Sequence, residues 1–490
     1  MTPGAGDTDP PPDPFYSLST EIPSNPMFLI ASLPSVSVSV RILFAGLLLA
    51  LIVCLALEEK LHAKKSVIAG LFAVACLFLG SCFGILPFGQ VVVGGHDVNM
   101  PVYIPAINWG VIAIILGSSL FVDVTSKSGL FTWIAIRVTK ASRGDPLLLL
   151  YFYGTMTVIF SAVLNNVTAM IIVGSLTVVS LEKLHLRDKL LGFLLIEGLL
   201  TNIGGLLTLI SSVPNIIVGT AANISFMEFF LKASPYVVLA TIVTLIMGAR
   251  LFGIRRITDP EKRSAAREQV EGFDETDGIE SWGFFWFSAF MLGLFIITIA
   301  TTSVLPFISD LEMGFVALSF AAVMLIRYKA EVDQFYKAID WDLIVFFMSL
   351  FVVIYVMEYA QVLTEIGNGL QRVLTAITAP DATAADTTIL LIGSAAFSSV
   401  TDNIPLAAML ANILNDLGTP HSSGLWWSVI FGANLGGNLT PIGSASTLVA
   451  VTIMHKHRVP ISFGAFVKIA IPYAVVQIGM ALAYVLLFLR

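Results

Sequence analysis

Two short stretches decide the fold of this chain: Asn202-Ile-Gly-Gly-Leu-Leu-Thr208 and Asn434-Leu-Gly-Gly-Asn-Leu-Thr440. They lie in different halves of the chain, each inside an apolar segment, 190–222 for the first and 425–454 for the second. Adjacent glycines interrupt a membrane helix, and an interruption is tolerated only where the unwound backbone faces protein or a cavity. Each stretch therefore predicts a broken helix inside a membrane domain.

The composition of the whole chain agrees with a membrane location. Of its 490 residues, 57% are hydrophobic and only 12% are charged, and the mean hydropathy is +0.89. A soluble domain of this length needs more charge to cover its surface, so an all-α polytopic membrane protein is predicted. The net charge of −7 offers no basic surface for nucleic acid.

The apolar segments outline the membrane domain. They lie near 39–57, 66–86, 106–125, 147–180, 190–222, 234–253, 283–303, 313–327, 341–360, 386–416, 425–454 and 470–489. Segments 147–180 and 386–416 are too long for a single span and carry polar residues at their centres. Each of these two is predicted to be a re-entrant helical hairpin.

The positive charges support this layout. If both hairpins enter and leave on one side of the membrane, only 4 of the 26 lysines and arginines fall on the opposite face. Cytoplasmic loops carry the excess of positive charge in membrane proteins. The distribution therefore predicts an inner-membrane protein with its N-terminus outside and residues 254–281 in a solvated cytoplasmic linker.

Two further pairs of motifs relate the halves of the chain to each other. Ile107-Asn-Trp109 recurs as Ile339-Asp-Trp341, at the same interval along the chain that separates the two glycine stretches, and 161–167 recurs as 398–404 at nearly that interval. The copies keep their order, and an odd number of crossings separates them, so two inverted repeats are predicted. Inverted repeats with interrupted helices at equivalent positions point to a transport site at the membrane midplane.

The hairpin tips and the helix breaks supply the candidate binding groups. Na⁺ is a hard cation that prefers oxygen ligands, which here are amides, hydroxyls, a carboxylate and the carbonyls freed by the glycines. Helix N-termini at the same points can attract an anion instead, so the motifs allow either sign of ion. The candidate ion- or substrate-binding residues are Asn165, Asn166, Thr168, Gly204, Gly205, Thr208, Asp402, Asn403, Gly436, Gly437, Asn438 and Thr440, with Na⁺ expected at Asn165, Asn166, Asp402 and Asn403.

Three acidic residues are candidates for coupling transport to protons. Asp402 lies at the second tip, where a carboxylate is costly, and its counterpart in the first half is the neutral Asn165. A carboxylate at that depth can bind H⁺ or Na⁺ in turn, which is the simplest antiport chemistry. Glu197 lies shortly before Gly204 and either faces the site or bonds to a neighbour, whereas Asp123 lies near the inner end of its span, where solvation is its expected environment.

Motifs of enzymes and of ATP-driven pumps are missing from the sequence. It contains no nucleophile elbow, phosphate-binding loop or HExxH motif. We therefore expect a secondary transporter rather than an enzyme, with no cofactor other than bound Na⁺.

The motifs resemble the ion transporter superfamily. The stretches that carry the resemblance are 202–215, Thr401-Asp-Asn-Ile-Pro405 and Gly436-Gly-Asn-Leu-Thr-Pro-Ile-Gly443, with Glu58-Glu-Lys-Leu-His62 near the first span. They look like the ArsB/NhaD group, which includes NhaD-type Na⁺/H⁺ antiporters, arsenite and silicon effluxers, P protein and proteins with a citrate transporter-like domain. The resemblance covers roughly residues 40–490 and says little about the substrate.

The resemblance implies a homodimer in the lipid bilayer, in which a transport domain moves like an elevator against a scaffold domain. It also implies that the tips and breaks hold Na⁺ and substrate, although Leu206-Leu207 and Ser211-Ser212 make the first site less polar than in that group. With the elements predicted from composition, charge and motif recurrence, the expected organisation is a disordered N-terminal tail (1–38), scaffold helices (39–105), a first inverted repeat (106–253), a cytoplasmic linker (254–281), further scaffold helices (282–337) and a second inverted repeat (338–490).

Three functions remain open from the sequence. The first is a Na⁺(Li⁺)/H⁺ antiporter in which Asp402 is the shared carboxylate. The second is a carrier of an anion or oxyanion, such as arsenite, silicate or a citrate-like carboxylate, with or without Na⁺ coupling. The lack of a lysine or arginine at membrane depth argues against a multivalent anion but not against neutral arsenite or silicic acid. The third is a non-transporting membrane scaffold, against which the intact paired motifs argue.

Overall fold

A computed structural model of the chain describes residues 36–86, 91–93, 96–98, 100–276, 278–374, 383–399, 403–441 and 443–489. Nearly all of the predicted N-terminal tail and the candidate residue Asp402 lie outside these described residues.

The described chain is almost entirely helical, which confirms the predicted class. The helices up to the end of the first half are α1 (Val38–Ala56), α2 (Glu58–Leu61), α3 (Lys65–Cys82), α4 (Trp109–Ser126), α5 (Leu130–Ala141), α6 (Pro146–Val163), α7 (Asn166–Lys183), α8 (Leu190–Gly204), α9 (Val213–Ala221) and α10 (Phe226–Leu251). Those that follow are α11 (Pro260–Glu271), α12 (Trp282–Thr301), α13 (Glu312–Leu325), α14 (Asp333–Ala338), α15 (Trp341–Tyr359), α16 (Val362–Val373), α17 (Ala384–Ser398), α18 (Asn403–Asp416), α19 (Gly424–Gly436), α20 (Ala445–Lys456) and α21 (Phe463–Phe488).

One small antiparallel ribbon departs from the all-helical expectation. It pairs β1 (Val91–Val93) with β2 (His96–Val98), in the connection between α3 and α4. Three successive valines favour extended backbone because their branched Cβ atoms fit a pleated strand. The ribbon is too short to change the class of the fold.

Ten helices in the described ranges are long and apolar enough to cross a membrane. Large apolar side chains on α1, α10 and α12 are more than half exposed, among them Ile42, Val238 and Phe290. Outward-facing apolar surface of this extent suits contact with lipid rather than water. The protein is therefore a multi-pass membrane protein.

The segment predicted as the first hairpin folds as α6 and α7 with a tight reversal between them. Asp145 caps α6, accepting hydrogen bonds from the backbone N–H groups of Leu147 and Leu148, and Pro146 occupies the first turn. At the reversal, Asn165 caps α7 through its side chain. Residues that cap helices thus mark the start of both helices of this hairpin.

The limbs of the two hairpins pack along the broken helices, α6 against α8 and α17 against α19. Glycines permit this approach: a Cβ atom on Gly204 would lie 2.6 Å from the carbonyl oxygen of Val158, and one on Gly436 would lie 2.3 Å from that of Ala395. Both distances are shorter than any normal contact, so these positions require glycine. Gly436 follows Gly204 by the interval that separates the two glycine stretches, and Ala395 follows Val158 by the interval between 161–167 and 398–404.

The segment between the halves contains α11 and is attached to the rest of the molecule. Asp145 accepts a hydrogen bond from the backbone N–H of Ile257, and the carboxylate of Glu275 pairs with Arg137 at 3.0 Å and Lys140 at 3.1 Å. These cations lower the pKa of Glu275, led by the hydrogen bond from Lys140. Most of α11 is exposed, but the segment is held against α5 and α6 rather than free of them.

Candidate transport site

The first helix break lies between α8 and α9, and a 3-10 turn at Leu209–Ser211 crosses it. Side chains bond the carbonyls that the break frees from the helix. Asn215 Nδ2 donates to the carbonyl oxygen of Gly205 at 2.6 Å and to that of Thr208 at 3.0 Å. A buried amide therefore replaces the missing helical donors, as buried backbone groups require.

The second helix break, between α19 and α20, is bonded in the same way. Thr447 Oγ1 donates to the carbonyl oxygen of Gly437 at 3.3 Å. In the alignment of the two glycine stretches, Thr447 takes the place of Asn215 and Gly437 takes the place of Gly205. A different side chain thus makes the equivalent contact in the second half.

The first hairpin is attached to its break by two hydroxyl groups. Ser161 Oγ on α6 donates to the carbonyl oxygen of Thr201 at 2.6 Å. In return, Thr208 Oγ1 in the break donates to the carbonyl oxygen of Ala162 at 2.6 Å. The tip and the break therefore form one hydrogen-bonded unit.

Both contacts recur in the second hairpin. Ser398 Oγ donates to the carbonyl oxygen of Ala433 at 2.6 Å, and Thr440 Oγ1 donates to the carbonyl oxygen of Ser399. In the alignment of the sequence motifs, these four residues occupy the same positions as the four of the first half. The two halves hence build their tips and breaks from equivalent bonds.

A chain of buried amides joins the two halves. Asn166 Nδ2 donates to Asn202 Oδ1 at 3.4 Å, and Asn202 Nδ2 donates to Asn438 Oδ1 at 2.8 Å. Asn438 Nδ2 donates to Gln477 Oε1 at 2.9 Å, and Gln477 Nε2 donates to Thr244 Oγ1 at 3.0 Å. The chain runs from the first tip through both breaks to α21 and α10.

A second connection between the halves runs through Asn434. Its Oδ1 accepts a hydrogen bond from Ser212 Oγ at 2.7 Å, and its Nδ2 donates to Asn215 Oδ1 at 2.9 Å. All three side chains are buried. Since both connections pair a residue of one break with a residue of the other, the two helix breaks face each other.

The groups at this junction are neutral. Among the described residues, no lysine or arginine donates a hydrogen bond to the amides of either connection. No group of three His, Cys, Asp or Glu side chains able to hold a metal ion occurs within the described ranges. The described junction thus consists of carbonyl, amide and hydroxyl groups bonded to one another.

The structure separates the two asparagines of the first tip. Asn165 is exposed, and its Oδ1 accepts a hydrogen bond from the backbone N–H of Thr168 at 2.8 Å, as a helix cap does. Asn166 is half-buried and enters the amide chain. At the second tip, Asn403 is the half-buried first residue of α18, and Asp402, directly before it, lies outside the described residues.

The glycines of the first break bring that tip close. A Cβ atom on Gly205 would lie 2.7 Å from Asn166 Oδ1 and 2.8 Å from Asn166 Nδ2. Only glycine therefore allows the Asn166 amide to lie flat against the break. At the second break, a Cβ atom on Gly437 would lie 2.9 Å from the carbonyl oxygen of Gly443, so glycine is again needed for close packing.

The two other acidic candidates occupy different surroundings. Glu197 is fully buried on α8, where Oε1 accepts a hydrogen bond from Thr177 Oγ1 at 2.6 Å and Oε2 has no partner within the described ranges. Of the two alternatives for this residue, the structure shows the bond to a neighbour. Asp123 is half-buried on α4, which packs mainly along α13, so it lies apart from the helix breaks.

Sequence reasoning missed several members of the junction. Asn202 and Asn434 open the two repeated stretches, yet only the glycines, Asn438 and the threonines after them were chosen as candidates. Gln477 is a single amide within the apolar α21, and an amide in a membrane helix signals a hydrogen bond to another helix. Thr244 and Asn215 carry weaker signals, because threonine and asparagine also bond to their own backbone.

An all-helical membrane bundle whose interior holds two facing helix breaks has the architecture of a transporter. A family model described as "Citrate transporter" (CitMHS) matches residues 52–432. The chain therefore belongs to the citrate transporter family, within the ion transporter superfamily, and is a secondary transporter of that type. The resemblance to the superfamily is confirmed.

Individual relatives agree with this assignment. The chain is 30% identical over 405 residues to the uncharacterized transporter Mb2703 of Mycobacterium bovis, a match that covers 81% of this chain and 90% of that protein. It is 23% identical over 508 residues to the P protein of Mus musculus, covering 88% of this chain and 60% of the relative. The crystal structure of the Alcanivorax borkumensis YdaH transporter shares the fold, with a TM-score of 0.56 at 12% identity, over 86% of this chain and 98% of that one.

Proposed function

We propose that this transporter exchanges Na⁺ or Li⁺ for H⁺. The observation that carries the proposal is the neutral, oxygen-rich junction of the two helix breaks, which no described lysine or arginine enters. Alkali cations are held by such oxygens, whereas a multivalent anion needs a compensating positive charge. Asp402, the only carboxylate in either tip, would then bind Na⁺ and H⁺ in turn.

The proposed arrangement is a pair of inverted repeats, 106–253 and 338–490, that move as an elevator against a scaffold formed by 39–105 and 282–337. The recurrence of the tip and break contacts at equivalent positions supports the repeats. The positive charges favour an inner-membrane location with the N-terminus outside. The superfamily resemblance favours a homodimer.

Na⁺ is proposed to bind between tip and break in each half. In the first half we favour Asn166 over Asn165, because Asn166 is half-buried and bonds to Asn202 of the junction, whereas Asn165 is exposed and caps α7. The Asn166 oxygen accepts a hydrogen bond from Ser161 Oγ at 2.6 Å, which Na⁺ would have to share or displace. Asn403 and Asp402 would supply the equivalent oxygens in the second half. Apart from Asn165, the proposed binding residues remain those of the sequence motifs, with Asn202, Asn434 and Gln477 added as the groups that hold the two sites together.

Glu197 is proposed to take part in proton coupling. A fully buried carboxylate with one hydrogen bond, and no cation beside it among the described residues, is unfavourable in its ionised form, so a bound proton or a transported cation would have to balance it. We expect Glu197→Gln to fold normally and to lose most of the difference in Na⁺-driven proton flux between an acidic and an alkaline pH. Flux in proteoliposomes at the two pH values is the measurement.

The control for Glu197 is Thr177→Val, which removes the single hydrogen bond to its carboxylate but leaves the titratable group in place. This variant should keep the dependence of flux on pH. If Glu197→Gln shows the pH profile of the unaltered protein, Glu197 serves packing alone.

An anion carrier is the second candidate function. The family model is described as a citrate transporter. In addition, α7 begins at the first tip and α20 begins at the second break, and helix N-termini attract negative charge. Citrate would need a positive partner that the described part of the junction does not supply, so co-binding of a cation would have to provide it. Neutral arsenite or silicic acid would not need one.

Solid-supported membrane currents on the purified full-length protein distinguish these functions. Na⁺, Li⁺, citrate and arsenite are each applied by concentration jump at two pH values. The antiporter predicts a current on Na⁺ and Li⁺ jumps whose size changes with pH, and no current on citrate. A citrate-evoked current would replace the antiporter with the anion carrier. Because transport of a neutral solute carries no current, only silence for every solute together with no arsenite uptake and no Na⁺-driven proton flux in proteoliposomes would favour the non-transporting scaffold.

A further inference from the structure

A groove of about 700 Å³ lies where α10 ends and the connection to α11 begins. Its walls are apolar or aromatic, from Leu147 and Tyr151 on α6 and Ile246 and Ala249 on α10. It lies apart from the helix breaks, and nothing in the transport mechanism uses it.

Three arginines stand around this groove: Arg250 in the last turn of α10, and Arg255 and Arg256 just after it. All three are exposed, and none of them belongs to an ion pair among the described residues. By contrast, Arg137 and Lys140 share Glu275, and Arg267 bonds to Glu271. The arginines of the groove are therefore three clustered positive charges without an ion-pair partner among the described residues.

Asp145, which caps α6, forms no ion pair with these arginines among the described residues. Asp145 uses one oxygen to accept from the N–H groups of Leu147 and Leu148, and the other to accept from the N–H of Ile257 at 3.1 Å. With its lone pairs directed to three backbone amides, this carboxylate is engaged in holding α6 and the linker together.

We propose that the groove binds an anionic phospholipid. Arginine forks match phosphate oxygens, and the apolar walls of α6 and α10 offer a surface for the first part of an acyl chain. A cationic rim on an apolar cleft at the end of a membrane helix is the complement of an amphiphile rather than of a free ion. The positive-inside distribution places the site at the cytoplasmic leaflet, where anionic lipids attract such clusters.

The test is lipid binding to the purified full-length protein in detergent, followed by native mass spectrometry and by apparent melting temperature. Phosphatidylglycerol is the probe, phosphatidylcholine is the neutral lipid, and inorganic phosphate is the free anion. The unaltered protein should retain phosphatidylglycerol in preference to phosphatidylcholine. The double variant Arg255→Gln/Arg256→Gln should bind it about thirtyfold more weakly, because each arginine near an anionic membrane surface contributes about fivefold.

Two further variants make the outcome decisive. Arg263→Gln/Arg267→Gln removes the same charge from the exposed helix α11, outside the groove, and should bind as the unaltered protein does. Arg255→Lys/Arg256→Lys keeps the charge but loses the bidentate fork, so its binding should lie between that of the unaltered protein and that of the glutamine variant. Any of three results would overturn the lipid site. The α11 variant could lose as much phosphatidylglycerol binding as Arg255→Gln/Arg256→Gln, or the latter variant could bind phosphatidylglycerol as the unaltered protein does. Inorganic phosphate could also raise the melting temperature as much as phosphatidylglycerol does.

Discussion

Asp402→Asn is expected to reduce Na⁺-driven proton flux to the level of liposomes without protein. The substitution keeps the size and the oxygen of the side chain but removes its only titratable group, so Na⁺ and H⁺ no longer compete for one carboxylate. Asp402 directly precedes Asn403, the first residue of α18. A negative charge just ahead of a helix N-terminus normally stabilises the helix. Flux is measured in proteoliposomes from the fluorescence of an internal pH dye after a Na⁺ jump.

The matched control for Asp402 is Asp310→Asn, the same chemical change at an exposed position between α12 and α13. Its flux should equal that of the unaltered protein. Because Asp402→Asn removes a charge rather than adding one, the variant should still fold, which size-exclusion chromatography and melting temperature check. A folded Asp402→Asn protein with intact flux would show that the shared carboxylate lies elsewhere, with Glu197 the next candidate.

Much of the fold could be predicted from local sequence. The adjacent glycines at 204–205 and 436–437 end α8 and α19 where the breaks were expected. Asn165 lies at the reversal of the first hairpin and caps α7. These features depend on backbone freedom and on capping, which are properties of a few neighbouring residues. The ribbon formed by β1 and β2 was missed because a short run of valines suits a membrane helix as well as a strand.

The candidate site was predicted less completely, for a physical reason. Asn202 meets Asn438 and Gln477 meets Thr244, each across nearly half of the chain, and no local pattern encodes such pairings. The spacing of the repeat placed the two breaks at equivalent positions, but it did not determine which side chains cross between them. For the same reason the sequence did not show that the exposed linker around α11 is attached to α5, since the ion pairs of Glu275 with Arg137 and Lys140 join residues far apart in the chain.

The roles of the two tip asparagines show how geometry changes an interpretation based on residue type. Both carry an amide oxygen, so both were assigned to Na⁺ on chemical grounds. The structure gives one of them to a helix cap and the other to the amide chain. The proposed cation site therefore depends on Asn166 in the first half, a distinction that no count of oxygen ligands provides.

Gly436→Ala is expected to destabilise the protein and abolish transport. An alanine Cβ at this position would lie 2.3 Å from the carbonyl oxygen of Ala395 and 2.8 Å from Ser398 Cβ, so α19 and α17 would have to separate. Overpacking typically costs about 1–3 kcal/mol, which outweighs the gain of up to about 1 kcal/mol from replacing glycine in a helix. The same separation would stretch the bond from Ser398 to Ala433 that attaches the tip to the break.

The measurements for Gly436→Ala are the apparent melting temperature and the substrate-evoked current, with Gly393→Ala as the control. Gly393 is also helical, in α17, but an added Cβ there meets no atom within 4 Å. The control should melt at or slightly above the temperature of the unaltered protein and transport normally. Gly204→Ala, with its Cβ 2.6 Å from the carbonyl oxygen of Val158, should behave like Gly436→Ala, because the same close approach holds the first tip to its break. Normal melting and transport in both close-contact variants would mean that tip and break need not pack this tightly for the transporter to work.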